Sequence, residues 1–81
     1  MEPNEPKSLV HDLDCRGLKC PMPIVRIAQA MQRISPGELL RVDASDPAFR
    51  ADVRAWSAMT NNELVEFEAA DGVQRAVLRK A

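Results

Sequence analysis

Two proline-marked helix starts divide this chain into alternating strand and helix patterns. Pro21 follows Cys20 and Pro47 follows Asp46, and proline suits the first helical position because its missing N–H would have no partner there. After each start, apolar residues recur at three- and four-residue steps, the spacing of one buried helical face. These residues are Ile24, Ile27, Ala28, Met31 and Ile34 in the first helix, and Phe49, Val53, Trp56 and Met59 in the second. The pattern predicts two amphipathic helices with Cys20 and Asp46 as N-caps.

Four segments outside these helices alternate polar and apolar residues, which is typical of strands with one buried face. They cover residues 9–15, 38–44, 63–69 and 73–79. Asp71-Gly72, between the last two segments, is a strong signal for a type I′ hairpin turn. The element order is βαβαββ, and a right-handed crossover allows the first two strands to be parallel. We therefore expect a two-layer α/β sandwich, with a mixed four-stranded sheet and both helices on one face.

Length, composition and charge restrict the class of protein. With 81 residues, 46% of them hydrophobic and 28% charged, the sequence predicts one small globular domain. We expect this domain to cover residues 9–81, after a flexible polar tail at residues 1–8. A net charge of −1 gives no basic excess for direct nucleic-acid binding. Because no signal peptide or membrane span is recognisable, the expected location is the cytoplasm, where both cysteines would be reduced.

Cys20 is the candidate nucleophile of the chain. A sulfur at a helix start lies near the positive end of the helix dipole, which favours the thiolate over the thiol. Lys19 and Arg16 add positive charge nearby in the sequence. The sequence thus predicts that the thiolate form of Cys20 is stabilised.

The residues just after Cys20 are expected to hold its sulfur rigidly without covering it. Pro21 and Pro23 have no N–H group, so Met22 N–H is the one local donor predicted for a hydrogen bond to the sulfur. Met22 itself lies in the first turn and is a candidate for an apolar contact with a partner protein. Asp46, as a cap near the end of the sheet, is a second candidate for such a contact.

The other cysteine and the histidine are given mainly structural roles. Cys15 is expected to be a small core residue at a strand end. The short loop to Cys20 could still bring the two sulfurs close enough for a disulfide, so Cys15 is also a candidate redox partner. His11, Asp14 and the two cysteines do not match zinc spacing, and we predict no metal and no cofactor. His11 is not expected to act as a catalytic base.

The segment from Leu13 to Pro23, LDCRGLKCPMP, resembles the signature of the TusA/SirA-like sulfur carrier family. Further matches extend the resemblance over about residues 9 to 80; they are Pro36-Gly37-Glu38, Asp46-Pro47-Ala48, Asp52-Val53, Asp71-Gly72 and Leu78-Arg79-Lys80. The resemblance implies a two-layer α/β sandwich in which the cysteine of the Cys-Pro-x-Pro motif, here Cys20, accepts sulfane sulfur as a persulfide. The donor would be a cysteine desulfurase or another persulfide donor, and the sulfur would pass to an acceptor protein.

The family's branches serve tRNA 2-thiolation, molybdenum-cofactor assembly or sulfur oxidation, and the resemblance leaves the branch open. Asp46 matches a family position implicated in relay contacts. Met22 stands where the tRNA-thiolation branch has an acidic residue, and Cys15 where that branch can carry another residue. Such a protein is a stoichiometric carrier more than a turnover enzyme. The alternatives are a thiol–disulfide redox protein that uses Cys15 and Cys20, and a regulatory interaction domain.

Overall fold

Six elements follow one another in the order that the sequence predicts. The computed structural model describes residues 9–81, and the tail predicted for residues 1–8 lies outside the described residues. The elements are β1 (Val10–Cys15), α1 (Met22–Met31), β2 (Leu39–Ala44), α2 (Phe49–Thr60), β3 (Glu63–Ala70) and β4 (Val73–Arg79). Neither helix has the length and apolar character needed to cross a membrane, within the described residues.

The four strands form one mixed sheet in the order β1-β2-β4-β3. β1 and β2 are parallel, whereas β4 pairs antiparallel with both β2 and β3. At the turn between β3 and β4, Asp71 and Gly72 have φ values of 55° and 79°. Because a type I′ turn requires positive φ at both central residues, this pair suits the hairpin. The predicted mixed sheet and its final hairpin are confirmed.

The core lies on one side of the sheet, between the strands and both helices. Leu40, Val42 and Ala44 alternate along β2 and therefore share one face, and all three are buried. Their core cluster also contains Cys15, Ile27, Met31, Phe49, Val53, Ala76 and Leu78. Residues of α1 and α2 thus pack on the same sheet face, which confirms the predicted two-layer sandwich.

The helix boundaries differ from those predicted. α1 begins at Met22, with Pro21 at the N-cap position, so Cys20 lies one residue before the cap. It ends at Met31, before Ile34, because Arg33 N–H bonds to the Ala30 carbonyl three residues back and tightens the final turn. Ile34 still packs against the core from the loop that follows.

The second helix also starts later than its sequence signal suggests. Its N-cap position is occupied by Ala48 and not by Asp46, and no side chain caps it. Phe49 and Val53 are buried as predicted, but Met59 is 82% exposed and the prediction that it joins the buried face is wrong. Asn61 ends the helix in the left-handed conformation, with φ of 62°.

The sheet face opposite the helices carries ion pairs between neighbouring strands. The closest N–O distances are 2.6 Å for Arg41–Asp12, 2.7 Å for Arg75–Asp43 and 2.6 Å for Arg79–Glu63. Exposed pairs of this kind contribute little each. They nevertheless keep the sheet face polar and leave the helix-covered face as the buried one.

Acidification is expected to destabilise the fold. Hydrogen bonds from Arg16 lower the pKa of Asp14 to about 2, and hydrogen bonds from Arg41 and Arg75 lower the pKa values of Asp12 and Asp43. A carboxylate whose pKa is lower in the folded state binds its proton more readily in the unfolded state. Its contribution is therefore present above the unfolded value of about 3.9 and is lost as the pH falls through the folded value. The thermal unfolding midpoint, followed by circular dichroism, should fall between about pH 4 and about pH 2. A midpoint that stays level across this window would contradict the assignment.

Candidate functional site

Cys20 lies in the loop between β1 and α1, and its side chain is exposed. The backbone N–H of Cys20 donates a hydrogen bond to Asp46 Oδ2 at 3.1 Å. Asp46 is itself fixed through its carbonyl oxygen, which accepts hydrogen bonds from Gln74 Nε2 at 2.7 Å and from Phe49 N–H at 3.0 Å. The loop before α2 therefore connects the backbone of Cys20 to β4 and to the first turn of α2.

The rest of the β1–α1 loop is anchored at two further points. Gly17 N–H donates to Ser45 Oγ at 2.9 Å, and Leu18 N–H donates to the Cys15 carbonyl at 3.2 Å. Gly17 has a φ of 84°, a conformation that side chains disfavour. Leu18 also packs against the core. Cys20 thus follows a loop with a defined course.

Asp46 has a different role from the helix cap that the sequence suggests. Its carboxylate binds the N–H of Cys20 on another loop, while α2 starts three residues later at Phe49. The Asp-Pro signal describes only local chain geometry, and the partner of the carboxylate comes from 26 residues earlier in the chain. Asp46 belongs to the site through this contact.

The first turn of α1 presents the sulfur differently from the predicted arrangement. Met22 N–H donates to the Lys19 carbonyl at 2.8 Å, so the prediction that it serves the Cys20 sulfur is wrong. Pro21 follows Cys20 through a cis peptide bond, and its carbonyl oxygen accepts hydrogen bonds from the N–H groups of Ile24 and Val25, both at 3.1 Å. Pro23 is fully buried and anchors the start of the helix in the core.

A carboxylate that the sequence pattern does not assign to the site lies beside Cys20. Asp52, in the first turn of α2, lines the same surface groove as Cys20, and its interaction with the thiol is the main cause that raises the pKa of Cys20. Partial desolvation and the negative charges of Asp52 and Asp46 raise the pKa further. The prediction of a stabilised thiolate is therefore wrong. One signal was present in the sequence, since Asp52 interrupts the apolar stripe of α2, three residues after Phe49 and four before Trp56.

The cations expected to favour the thiolate do not dominate the site. Arg16 binds Asp14 through two contacts, Nε to Oδ1 at 2.9 Å and an NH₂ group to Oδ2 at 3.0 Å. Its charge is thus matched by a carboxylate of its own loop. Lys19 is exposed next to Cys20, but the charges that shift the pKa of Cys20 are those of Asp52 and Asp46.

A mostly apolar groove opens beside Cys20, between the start of α1 and the outer side of α2. We name it the thiol groove; its volume is about 320 Å³, and it is lined by Cys20, Pro21, Ile24, Asp52, Ala55, Trp56 and Met59. Asp52 is the charged residue in this lining, and the Met59 side chain in it is 82% exposed. Met22 is 39% exposed but does not line the groove. Cys20 is therefore accessible from a surface large enough to accommodate side chains of another molecule.

Cys15 and His11 lie in different surroundings. Cys15 is fully buried at the end of β1, and burial raises the pKa of its thiol. Both cysteines are free thiols. His11 Nε2 lies 2.9 Å from Glu38 Oε1, near the opposite end of β1 from Cys20. Within residues 9–81, no three histidine, cysteine or acidic side chains gather in a way that could hold a metal ion.

Comparison with known proteins gives consistent matches. Residues 11–80 match the family described as Sulfurtransferase TusA. A candidate sulfur carrier protein of Aquifex aeolicus is 36% identical over 69 residues, 85% of this chain and 35% of that protein. Another, of Bacillus subtilis, is 41% identical over 68 residues, 84% of this chain and 37% of that protein. The sulfur carrier protein TusA of Allochromatium vinosum is 36% identical over 70 residues, 86% of this chain and 92% of that protein. The chain thus spans about a third of the first two relatives and most of the third.

Proposed function

Because this chain belongs to the TusA family of sulfurtransferases, we propose that it is a sulfur carrier that holds sulfane sulfur as a persulfide on Cys20. The observation that carries the proposal is the position of Cys20, exposed at the thiol groove and held through its backbone by Asp46. A carrier needs a sulfur atom that two partner proteins can reach in turn. An exposed cysteine on an anchored loop meets this need.

The transfer is a pair of thiol exchange reactions. The Cys20 thiolate attacks the outer sulfur of a donor persulfide, the S–S bond of the donor breaks, and the donor leaves as a thiolate. Cys20 then carries the outer sulfur as Cys–S–SH. In the second step an acceptor thiolate attacks that outer sulfur, the new S–S bond breaks, and Cys20 is released as a thiolate that regains a proton. No external oxidant or reductant is consumed.

The partners proposed are a cysteine desulfurase or another persulfide donor, and a downstream acceptor protein. The family resemblance supports tRNA 2-thiolation, molybdenum-cofactor assembly or sulfur oxidation as the pathway, and the location proposed is the cytoplasm. The net charge of −1 supports a protein acceptor over direct contact with nucleic acid. In this role the protein is a stoichiometric carrier and needs no metal or cofactor.

The proposal is tested by mass spectrometry of the protein after incubation with a cysteine desulfurase and cysteine. We expect the intact mass to rise by one sulfur atom and to return to its starting value after treatment with a reductant. Peptide mapping should locate the added sulfur on the peptide that contains Cys20. If several active persulfide donors add no sulfur, the carrier function is wrong.

The redox alternative receives less support from the geometry. A disulfide exchange protein needs a second thiol that reaches the first, but Cys15 is fully buried in the core. Burial also raises the pKa of that thiol, which lowers the fraction of reactive thiolate. We therefore favour a carrier with one reactive cysteine.

A further inference from the structure

The side chain of Asp52 has an unusual position for a charged residue. It is half-buried, and it lines a groove whose other members, apart from Cys20, are apolar. Cys20 and Asp52 line this groove together, and Asp52 is the acidic residue in the first turn of α2. A carboxylate thus shares an otherwise apolar groove with the sulfur that the proposed function requires to react.

The charges around the thiol come from each of the elements that surround it. They are Arg16 and Lys19 on the β1–α1 loop, Arg26 on α1, Asp46 on the β2–α2 loop and Asp52 on α2. Arg16 is paired with Asp14, and the positive charge of Arg26 acts on Cys15. Asp52 and Asp46 together raise the pKa of Cys20. Of these charged groups, Asp52 is the one that lines the thiol groove.

We propose that Asp52, which lines the thiol groove together with Cys20, selects the donors that Cys20 accepts by favouring a donor that presents positive charge beside its persulfide. The proposal rests on the carrier function of Cys20. It assigns donor selection to Asp52 and predicts that the donor has cationic side chains around its reacting persulfide.

The physical reason is the effect of neighbouring charge on the thiolate. Cys20 must lose its proton before it attacks, and a carboxylate in the same groove opposes that loss. A cationic group on the donor compensates the negative charge of Asp52 and Asp46, so the thiolate forms more readily once the donor is bound. An anionic donor adds repulsion and slows the attack. The proton leaves Cys20 for solvent or for the departing thiolate of the donor, so the exchange stays balanced.

Two thiosulfonate reagents of opposite charge test this directly. One carries a trimethylammonium group and the other a sulfonate, and each transfers its thioalkyl group to Cys20 while methanesulfinate leaves. Their second-order rates are measured near neutral pH and divided by the rates with 2-mercaptoethanol, which removes intrinsic differences in reactivity. The wild-type protein should favour the cationic reagent by about tenfold after this correction.

Asp52→Asn keeps the size of the side chain and removes its charge. We expect the cation-to-anion ratio to fall by about three- to fivefold, while Asp52→Glu retains most of it. Glu66→Gln removes the same charge from an exposed site on β3 and should leave the ratio unchanged. Alkylation by iodoacetamide should shift to lower pH in Asp52→Asn, because the pKa of Cys20 falls. If Asp52 had only a structural role, Asp52→Asn would change the rates with the cationic and anionic reagents by the same factor. An unchanged cation-to-anion ratio would therefore overturn the proposal.

The wild-type protein provides a second test that requires no folded variant. Its cation-to-anion ratio should decline towards unity as salt is raised, because salt screens exposed charges. A corrected ratio at or below unity in low salt would refute the role of Asp52. Thiosulfonates react with a cysteine thiol whether or not that cysteine serves as a persulfide carrier. If the carrier function were wrong, the cation-to-anion ratio could still be measured, so the two proposals can fail independently.

Discussion

Replacement of Cys20 by serine is expected to abolish the gain of sulfur mass completely. The hydroxyl of serine forms no persulfide, and Cys15, the other cysteine of the chain, is fully buried. The change removes one exposed atom and should leave the free energy of unfolding within about 0.5 kcal/mol of the wild-type value. The measurement is intact mass after incubation with a desulfurase and cysteine, with the unfolding midpoint as the check on folding.

Cys15→Ala is the matched control for Cys20→Ser. The change leaves a small cavity in the core and should destabilise the fold by about 1 kcal/mol. Because Cys15 has no part in the proposed transfer, the variant should still accept one sulfur atom. Loss of sulfur in folded Cys15→Ala with retention in Cys20→Ser would transfer the carrier role to Cys15. Loss in both folded variants would instead favour the redox alternative.

The architecture was predictable because it depends on local, periodic patterns. Leu40, Val42 and Ala44 alternate with polar residues, and all three are buried on the helix-covered face. Asp71-Gly72 specifies a tight hairpin through backbone preferences that act within the turn itself. When the apolar spacing of every strand and helix places its buried residues on one common face, few arrangements of the six elements remain possible.

The contacts of the site were not predictable in the same way. The proline after Asp46 predicts a helix cap, but the Asp46 carboxylate binds the N–H of Cys20, 26 residues away. The local pattern gives Asp52 no role in the site, although it lines the same groove as Cys20. Both arrangements form because α2 packs beside the start of α1 on the same sheet face. They depend on tertiary packing, which single-residue patterns do not specify.

The acidity of Cys20 shows the same limit. Lys19, Arg16 and the helix dipole, which are apparent from the sequence, all favour a thiolate. The fold pairs Arg16 with Asp14 and brings Asp52 from another helix into the groove that Cys20 lines. The interaction with Asp52 then outweighs the positive charges, and the pKa of Cys20 is raised. The neighbouring sequence predicts which residue reacts, but it does not predict whether the sulfur of Cys20 is a thiol or a thiolate before the reaction.

Phe49→Ala is expected to have the largest effect on stability of any change considered for this chain. Phe49 is 1% exposed and is the largest of the fully buried side chains. Its ring also stacks with that of Phe67, at a centroid distance of 6.3 Å. Truncation of a buried phenylalanine costs about 3–5 kcal/mol, whereas a domain of 81 residues is stable by roughly 4–12 kcal/mol. Urea unfolding followed by circular dichroism should show a large fall in the midpoint, or an unfolded protein.

Met59→Ala provides the comparison on the same helix. Met59 is 82% exposed, so its truncation removes little buried surface and should change the free energy of unfolding by no more than about 0.5 kcal/mol. Equal effects of the two variants would contradict the assignment of the inner face of α2. Because the first turn of α2 carries both Phe49 and Asp52, partial loss of packing at Phe49 should also release Asp52 from the thiol. Folded Phe49→Ala molecules should then react faster with iodoacetamide near neutral pH than the wild-type protein does.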